Sequence, residues 1–232
     1  VTLQNNQNLA KKAGRRQEII SVLAAYLLES GLQDAGLRKL AETAGTSDRM
    51  LLYYFEDKNE LLTAVLMETG REMELELSGL LGSARLLPTV ALESLWQMVR
   101  GEIFANHLRL WLEMSSQAAR GDPLFGAIVS GISDGWVRWL SGILDAPEAA
   151  KTSLAALILA AVNGQLVLFP GNLRQGDPAI AALKKVLASG ASKSNNQRKK
   201  KSEQGVQDER KSRRAVQLPG PTGRHRRMAG PG

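Results

Sequence analysis

The sequence predicts an all-α fold, and three observations carry that reading. Apolar residues recur three and four positions apart nearly throughout. No alternating run between turn residues is long enough to argue for a sheet. Helix boundaries are marked by glycines after apolar stripes and by acidic capping residues before them. With 232 residues, 44% of them hydrophobic, the chain has the material for a sizeable core in one generous domain or two.

The elements follow in order. Residues 1–14 are polar and basic and read as a flexible arm. A first helix carries the stripe Ile19, Ile20, Leu23, Leu27 and Leu28 and stops at Gly31; a second carries Leu37, Leu40, Ala41 and Ala44 and stops at Gly45. A third presents Leu51, Tyr54 and Phe55 on one face and completes a three-helix domain over residues 15–60. Asp57 with Glu60 has the spacing of a capping box and starts a connecting helix assigned to residues 61–84. Residues 85–190 form a larger helical domain, in which Asp122-Pro123 and Asp177-Pro178 each set a capping acid before a proline suited to a first turn. Residues 191–232 hold no aromatic ring of Phe, Trp or Tyr and abundant Gly, Pro, Ser, Gln, Lys and Arg. That composition cannot offset the entropy of ordering and reads as a disordered basic tail.

Composition narrows the chemistry. The absence of cysteine excludes disulfides, thiolate metal sites and cysteine nucleophiles, and fits a reducing cytosol. His107 and His225 are the only histidines, too few for the usual zinc sites or a Ser-His-Asp arrangement, so no catalytic centre, metal site or cofactor is expected. The opening residues lack the apolar run of an export signal. The longest apolar stretch, residues 154–169, is short for a bilayer and is interrupted by Asn163, Gly164 and Gln165, so it reads as a buried helix. A soluble, cytoplasmic protein without a membrane partner is the expectation. The net charge of +7 is unevenly placed: from Lys193 onward 12 Lys and Arg face three Asp and Glu, whereas the rest carries 18 basic and 20 acidic residues. A nucleic-acid reading of the body must therefore rest on geometry.

That geometry is suggested by "TSDRMLLYYF", residues 46–55, in which polar side chains precede a block of large apolar ones. Two helices turning at Gly45 would cross at the small Ala41, burying the apolar root of the second helix and leaving Ser47, Asp48, Arg49 and Met50 at a free polar tip. This is the layout of a helix-turn-helix, whose second helix lays its first residues on base edges in the major groove. Thr46 or Ser47 can cap that helix. Arg49 suits bidentate bonding to guanine, and Asp48 either accepts from a cytosine amino group or stabilises the helix start. Tyr53 is placed to donate to a phosphate and Lys58 to add a point charge beside the backbone. By spacing alone, the pair reads equally as an ordinary helical hairpin.

From "RRQEIISVLAAYLLESGLQDAGLRKLAETAGTS" through "LLYYFEDKNELL", about 50 residues resemble the N-terminal domain of the tetracycline repressor (TetR) family. The resemblance implies a homodimeric transcription regulator, usually a repressor, with a helical domain that commonly binds a small molecule. Its departures are Gly36 where Ser or Thr often precedes the second helix, Leu52 where an aromatic residue is frequent, and the acidic Asp48. The candidate DNA-contacting set is Lys12, Arg15, Arg16, Thr46, Ser47, Asp48, Arg49, Met50, Tyr53, Tyr54 and Lys58. For the basic residues near the first helix, a minor-groove arm and a solvated charged flank are both open readings.

In the larger domain, a helix apolar on both sides over 154–169 must be covered twice. One side faces its own domain; the other, with a helix over 178–188, is expected to meet a second copy, giving a homodimer through segments near 147–169 and 178–188. Candidate contacts for a small apolar or aromatic effector are Trp96, Phe104, His107, Trp111, Met114, Phe125, Trp136 and Asn163, each weighed against a plain core role. The expectation is a ligand-responsive regulator on a palindromic double-stranded DNA operator. The alternative is a DNA-binding adaptor whose helical domain takes a protein partner. The tail admits two readings, non-specific DNA affinity or a dispensable extension.

Overall fold

A computed structural model of the chain describes residues 2–82 and 84–190. The disordered tail expected over 191–232 lies outside the described residues, as does His225. Among the described residues the fold is all-α, without a strand and with one isolated bridge between Leu86 and Leu144. The helices are α1 (Thr2–Ser30), α2 (Leu37–Thr43), α3 (Asp48–Tyr54), α4 (Lys58–Leu81), α5 (Pro88–Val99), α6 (Ala105–Ala119), α7 (Pro123–Ile143) and α8 (Glu148–Leu168). Short 3-10 turns occupy Glu102–Phe104 and Leu173–Gly176. The described residues up to Lys184 form one compact unit, and the chain from Lys185 onward is assigned to a second. Residues 177–184 close the first unit as helix, and the described residues of the second, 185–190, are also helical.

The head is built on α1. Its stripe Ile19, Leu23, Leu27 is fully buried together with Leu40 and Ala41 of α2, Leu51 of α3 and Leu61 of α4. Side chains of this size contribute about 1.5–3 kcal/mol each when fully removed from water, so the stripe accounts for the two seven-residue helices α2 and α3, which would be marginal alone. In the body, α7 packs against α4, α6 and α8, and α8 packs against α5. A Cβ on Gly70 of α4 would sit 3.1 Å from Ile132 of α7, so a bare backbone is what lets these two helices approach. Asp122 caps α7 as expected, its carboxylate accepting from the Leu124 and Phe125 amides with Pro123 in the first turn.

Several expectations are corrected. Residues 2–14 are not a separate arm: they are helical and continuous with α1, because Leu, Gln, Ala and Lys favour helix and Gly14 stands alone. The boundary at residue 60 falls inside α4, which runs unbroken from Lys58 and belongs to head and body alike. Asp177 does not cap a helix; it is itself helical, and its carboxylate is taken by Trp96 Nε1 at 2.7 Å and by Arg100 at 2.9 and 3.0 Å. Nor is the apolar segment short. α8 begins at Glu148 and, at 21 residues, is long and apolar enough to cross a membrane by length and composition. Its Ala155, Ile158, Val162 and Leu166 nevertheless form a buried stripe in the body.

Candidate nucleic-acid interface

The turn between α2 and α3 explains the glycine that precedes the polar tip. Ala44 caps α2, the Gly45 amide donates to the Glu42 carbonyl at 3.1 Å, and the Thr46 amide reaches back to Ala41 at 2.9 Å. These two bonds make a Schellman closure, which needs a left-handed residue between them. Gly45 supplies it with φ of 63°. The chain then re-enters helix at Ser47, whose hydroxyl accepts from the Met50 amide at 3.3 Å. Of the two expected caps, Ser47 is the one used; Thr46 is half-buried.

The two ends of α3 differ as the sequence order demands. Leu51 and Phe55 are 0% and 2% exposed, whereas Ser47, Asp48, Arg49 and Met50 all face solvent. Tyr53 is 58% exposed, and Tyr54, half-buried, meets its ring edge-on at 5.1 Å. Lys58 is exposed at the first position of α4, where its charge opposes the helix dipole. The tip therefore offers hydrogen-bonding side chains on a short rigid rod anchored by its root.

The basic residues of α1 divide. Lys12 lies on the side of α3, its Nζ 4.3 Å from the Tyr53 ring centroid. Arg15 pairs with Glu18 at 2.7 Å and donates to the Ala44 carbonyl at 3.3 Å, supporting the end of α2. Arg16 turns toward the head's core: it pairs with Glu60 at 2.7 Å and its guanidinium lies 4.6 Å from the Phe55 ring centroid. The three cations thus differ, because carboxylates on α1 and α4 engage two of them. Glu60 accepts from the Glu56 amide, and its own amide donates to Asp57 at 2.8 Å, so the capping box closes one residue earlier than its spacing suggests. The Glu56 amide, with Arg16 adding to it against partial desolvation, holds the Glu60 carboxyl below its ordinary range.

In the body, an enclosed cavity of about 30 Å³ is walled by α4, α5, α6, α7 and α8. Of the candidate ligand residues only Trp136 and Asn163 line it. Trp96 is buried and satisfied by Asp177, while Phe104 and Met114 are buried core. Trp111 stacks on Trp136 at 5.2 Å without reaching the cavity, and Phe125 is half-buried in the first turn of α7. His107 is half-buried beside Phe104, 6.1 Å between ring centres, with neither ring nitrogen hydrogen-bonded; burial lowers its pKa, which Glu76 partly opposes. Met73 and Leu77 of α4 and Trp139 of α7 also line it. The α4 pair was missed because that helix reads as a connector, although its spacing of four placed both on one face. Trp136 Nε1 is buried without a partner, and the Trp139 indole donates to Ser78 at 2.7 Å.

This architecture has counterparts among known proteins. Residues 19–65 match the family model described as bacterial regulatory proteins, tetR family. A curated relative, the HTH-type transcriptional regulator BetI of Proteus mirabilis (strain HI4320), is 40% identical over 52 residues, 22% of this chain and 26% of that protein. The chain thus spans about a quarter of the length of that relative. A transcriptional regulator from Rhodococcus sp. Rha1 superimposes with a TM-score of 0.57 at 22% identity, over 75% of this chain and 96% of that one. FadR from Bacillus subtilis, solved in complex with stearoyl-CoA, does so with a TM-score of 0.50 at 16% identity, over 75% and 98%. The turn, cap and buried root of the head fit that likeness, and residues 19–65 are similar to the bacterial regulatory proteins of the tetR family.

Proposed function

We propose that this chain is a ligand-responsive transcription regulator, acting as a repressor, that binds a palindromic operator as a homodimer in the cytoplasm. The observation that carries the reading is the polarity of α3: a buried root at Leu51 and Phe55 beneath an exposed tip of Ser47, Asp48, Arg49 and Met50. One such tip touches too few base pairs for specific binding, so two heads on half-sites about one DNA turn apart are required.

The second copy is argued from α8. Opposite its buried stripe it exposes Ser153, Ala156, Leu157, Ala160, Val167 and Leu168, with Leu157 at 44%, Val167 at 68% and Leu168 at 66%. Small residues spaced three and four apart allow close helix approach, and burying this stripe against its symmetry mate covers the second face of the helix. The enclosed cavity by Trp136 and Asn163 supports a small, mainly apolar effector that enlarges it on binding. FadR, a neighbour in fold, was solved with stearoyl-CoA, which favours a small molecule over a protein partner for this domain.

The test is selection of bound duplexes from random DNA by the full chain. A consensus with two-fold symmetry and half-sites about one turn apart is expected. A consensus lacking symmetry would remove the dimer, and failure to enrich any duplex at low salt would remove the DNA reading.

A further inference from the structure

Beside the enclosed cavity lies an open cleft of about 490 Å³ between the end of α5, the start of α6 and the end of α8. Val99, Leu108 and Leu166 line both spaces and form the wall between them. The cleft floor is apolar, continued by Leu112, and its rim carries Arg100, Arg109 and the exposed Glu102. The two arginines are not equivalent. Arg100 is neutralised by Asp177 at 2.9 and 3.0 Å and donates to Gln97 at 2.7 Å. Arg109 has no carboxylate partner among the described residues. It is exposed, and its Nη2 donates to the carbonyls of Leu28 at 2.8 Å and Glu29 at 2.7 Å, at the C-terminus of α1.

That bond pattern joins the cleft to the DNA-binding head. One helical turn further along α6, Glu113 accepts from the Leu32 amide at 2.7 Å, so α6 holds the end of α1 by a cation on its last carbonyls and an anion on the amide beyond. A guanidinium can fork a carboxylate side-on through Nε and Nη2 or end-on through Nη1 and Nη2. Both forks use Nη2, the atom now spent on α1. An anion bound at Arg109 therefore competes with the end of α1 for the same donor.

Resting on the effector-responsive reading above, we propose that this cleft takes an amphipathic anion, its apolar part on Leu108, Leu112 and Leu166 and its acidic group on Arg109. Binding withdraws Arg109 from the Leu28 and Glu29 carbonyls and loosens the head, so ligand and operator oppose each other through one side chain. Linkage requires the opposition to be reciprocal.

The test uses the full chain and two fluorescent probes of similar shape, the anion 1-anilinonaphthalene-8-sulfonate and the uncharged N-phenyl-1-naphthylamine. Expected is one saturable anion site per chain, weakened at least tenfold in Arg109→Gln, kept within about threefold in Arg109→Lys, and lost in Leu112→Trp, which fills the cleft. The neutral probe should respond to Leu112→Trp alone. With a selected operator duplex, the anion should weaken DNA binding of the parent chain and leave that of Arg109→Gln unchanged. Equal anion affinity in the parent chain and Arg109→Gln, or an anion effect on operator binding that survives that substitution, overturns the proposal. Circular dichroism of each variant separates these outcomes from misfolding. Should no duplex be bound while the probe titrations behave as stated, the regulator reading fails and the anion site stands.

Discussion

The Lys12 ammonium lies 4.3 Å from the centre of the Tyr53 ring, and this one contact joins the first half of α1 to the exposed side of α3. Tyr53 is 58% exposed, so the pair is a surface feature of α3. On the proposed function, a cation held over an aromatic face at the flank of α3 is positioned for a phosphate beside the groove. Lys12→Gln is expected to lower the slope of log affinity against log salt by about 1 per subunit while leaving the selected consensus unchanged. A changed consensus would show that Lys12 reads bases.

Arg49 is exposed in the first turn of α3, with no ion-pair partner among the described residues, and its fork remains available for a base pair. Arg49→Ala should cost about 1–3 kcal/mol of operator binding and relax preference at one symmetric pair of positions. Competition titrations against operators altered at each position read this directly. Uniform weakening across all sequences would assign Arg49 to the phosphates instead.

Gly45 has φ of 63° and open space where a Cβ would stand, so substitution there meets backbone strain and no clash. Gly45→Ala is expected to destabilise the protein by about 1–2 kcal/mol, and Gly45→Asn by less, since Asn tolerates the left-handed region. Urea denaturation decides it. Equal stability of all three chains would mean that the α2–α3 closure relaxes to another turn.

His107 and Glu60 set different acid limits on stability. His107 is half-buried, its ring nitrogens shielded and without a hydrogen bond, and its pKa is lowered from the ordinary value near 6.5, so the unfolded chain binds its proton more readily. Its effect is absent above about pH 6.5, and stability falls as the pH drops from there through the lowered folded value. Glu60 is lowered as well; its contribution is present above the usual carboxylate range and is lost on acidification below about pH 4.5. His107→Phe should flatten the first decline in midpoint denaturant concentration between pH 7 and 5 and leave the second. A decline of unchanged steepness would place the upper titration elsewhere.

Ala160 stands in the middle of the exposed stripe of α8. Ala160→Glu introduces a charge that meets its own mate across a two-fold axis, and light scattering should then report half the parent mass. Because Ala160 points away from the buried stripe, helicity and midpoint should change little. A monomeric parent chain would remove this interface.

Much of the head was legible in the sequence because its rules are local. A stripe at helical spacing, a glycine at a Schellman closure and a serine at a helix start each act within a few residues, and Ile19, Gly45 and Ser47 stand where that logic puts them. The same local logic read residues 1–14 as an arm, since basic residues there suggest a DNA-facing tether, whereas their helix propensity carries α1 through to Thr2.

What the sequence determined by itself is an all-α chain with a polar-tipped third helix rooted by Leu51 and Phe55, because hydrophobic periodicity and capping are short-range. What only the tertiary structure decided is which charges are already spent. Arg16 is drawn inward by Glu60, Arg100 is neutralised by Asp177 from 77 positions away, and Arg109 is left facing a cleft while holding the end of α1. Those choices depend on Coulomb partners brought together by packing, which falls off with distance in space and is blind to separation along the chain.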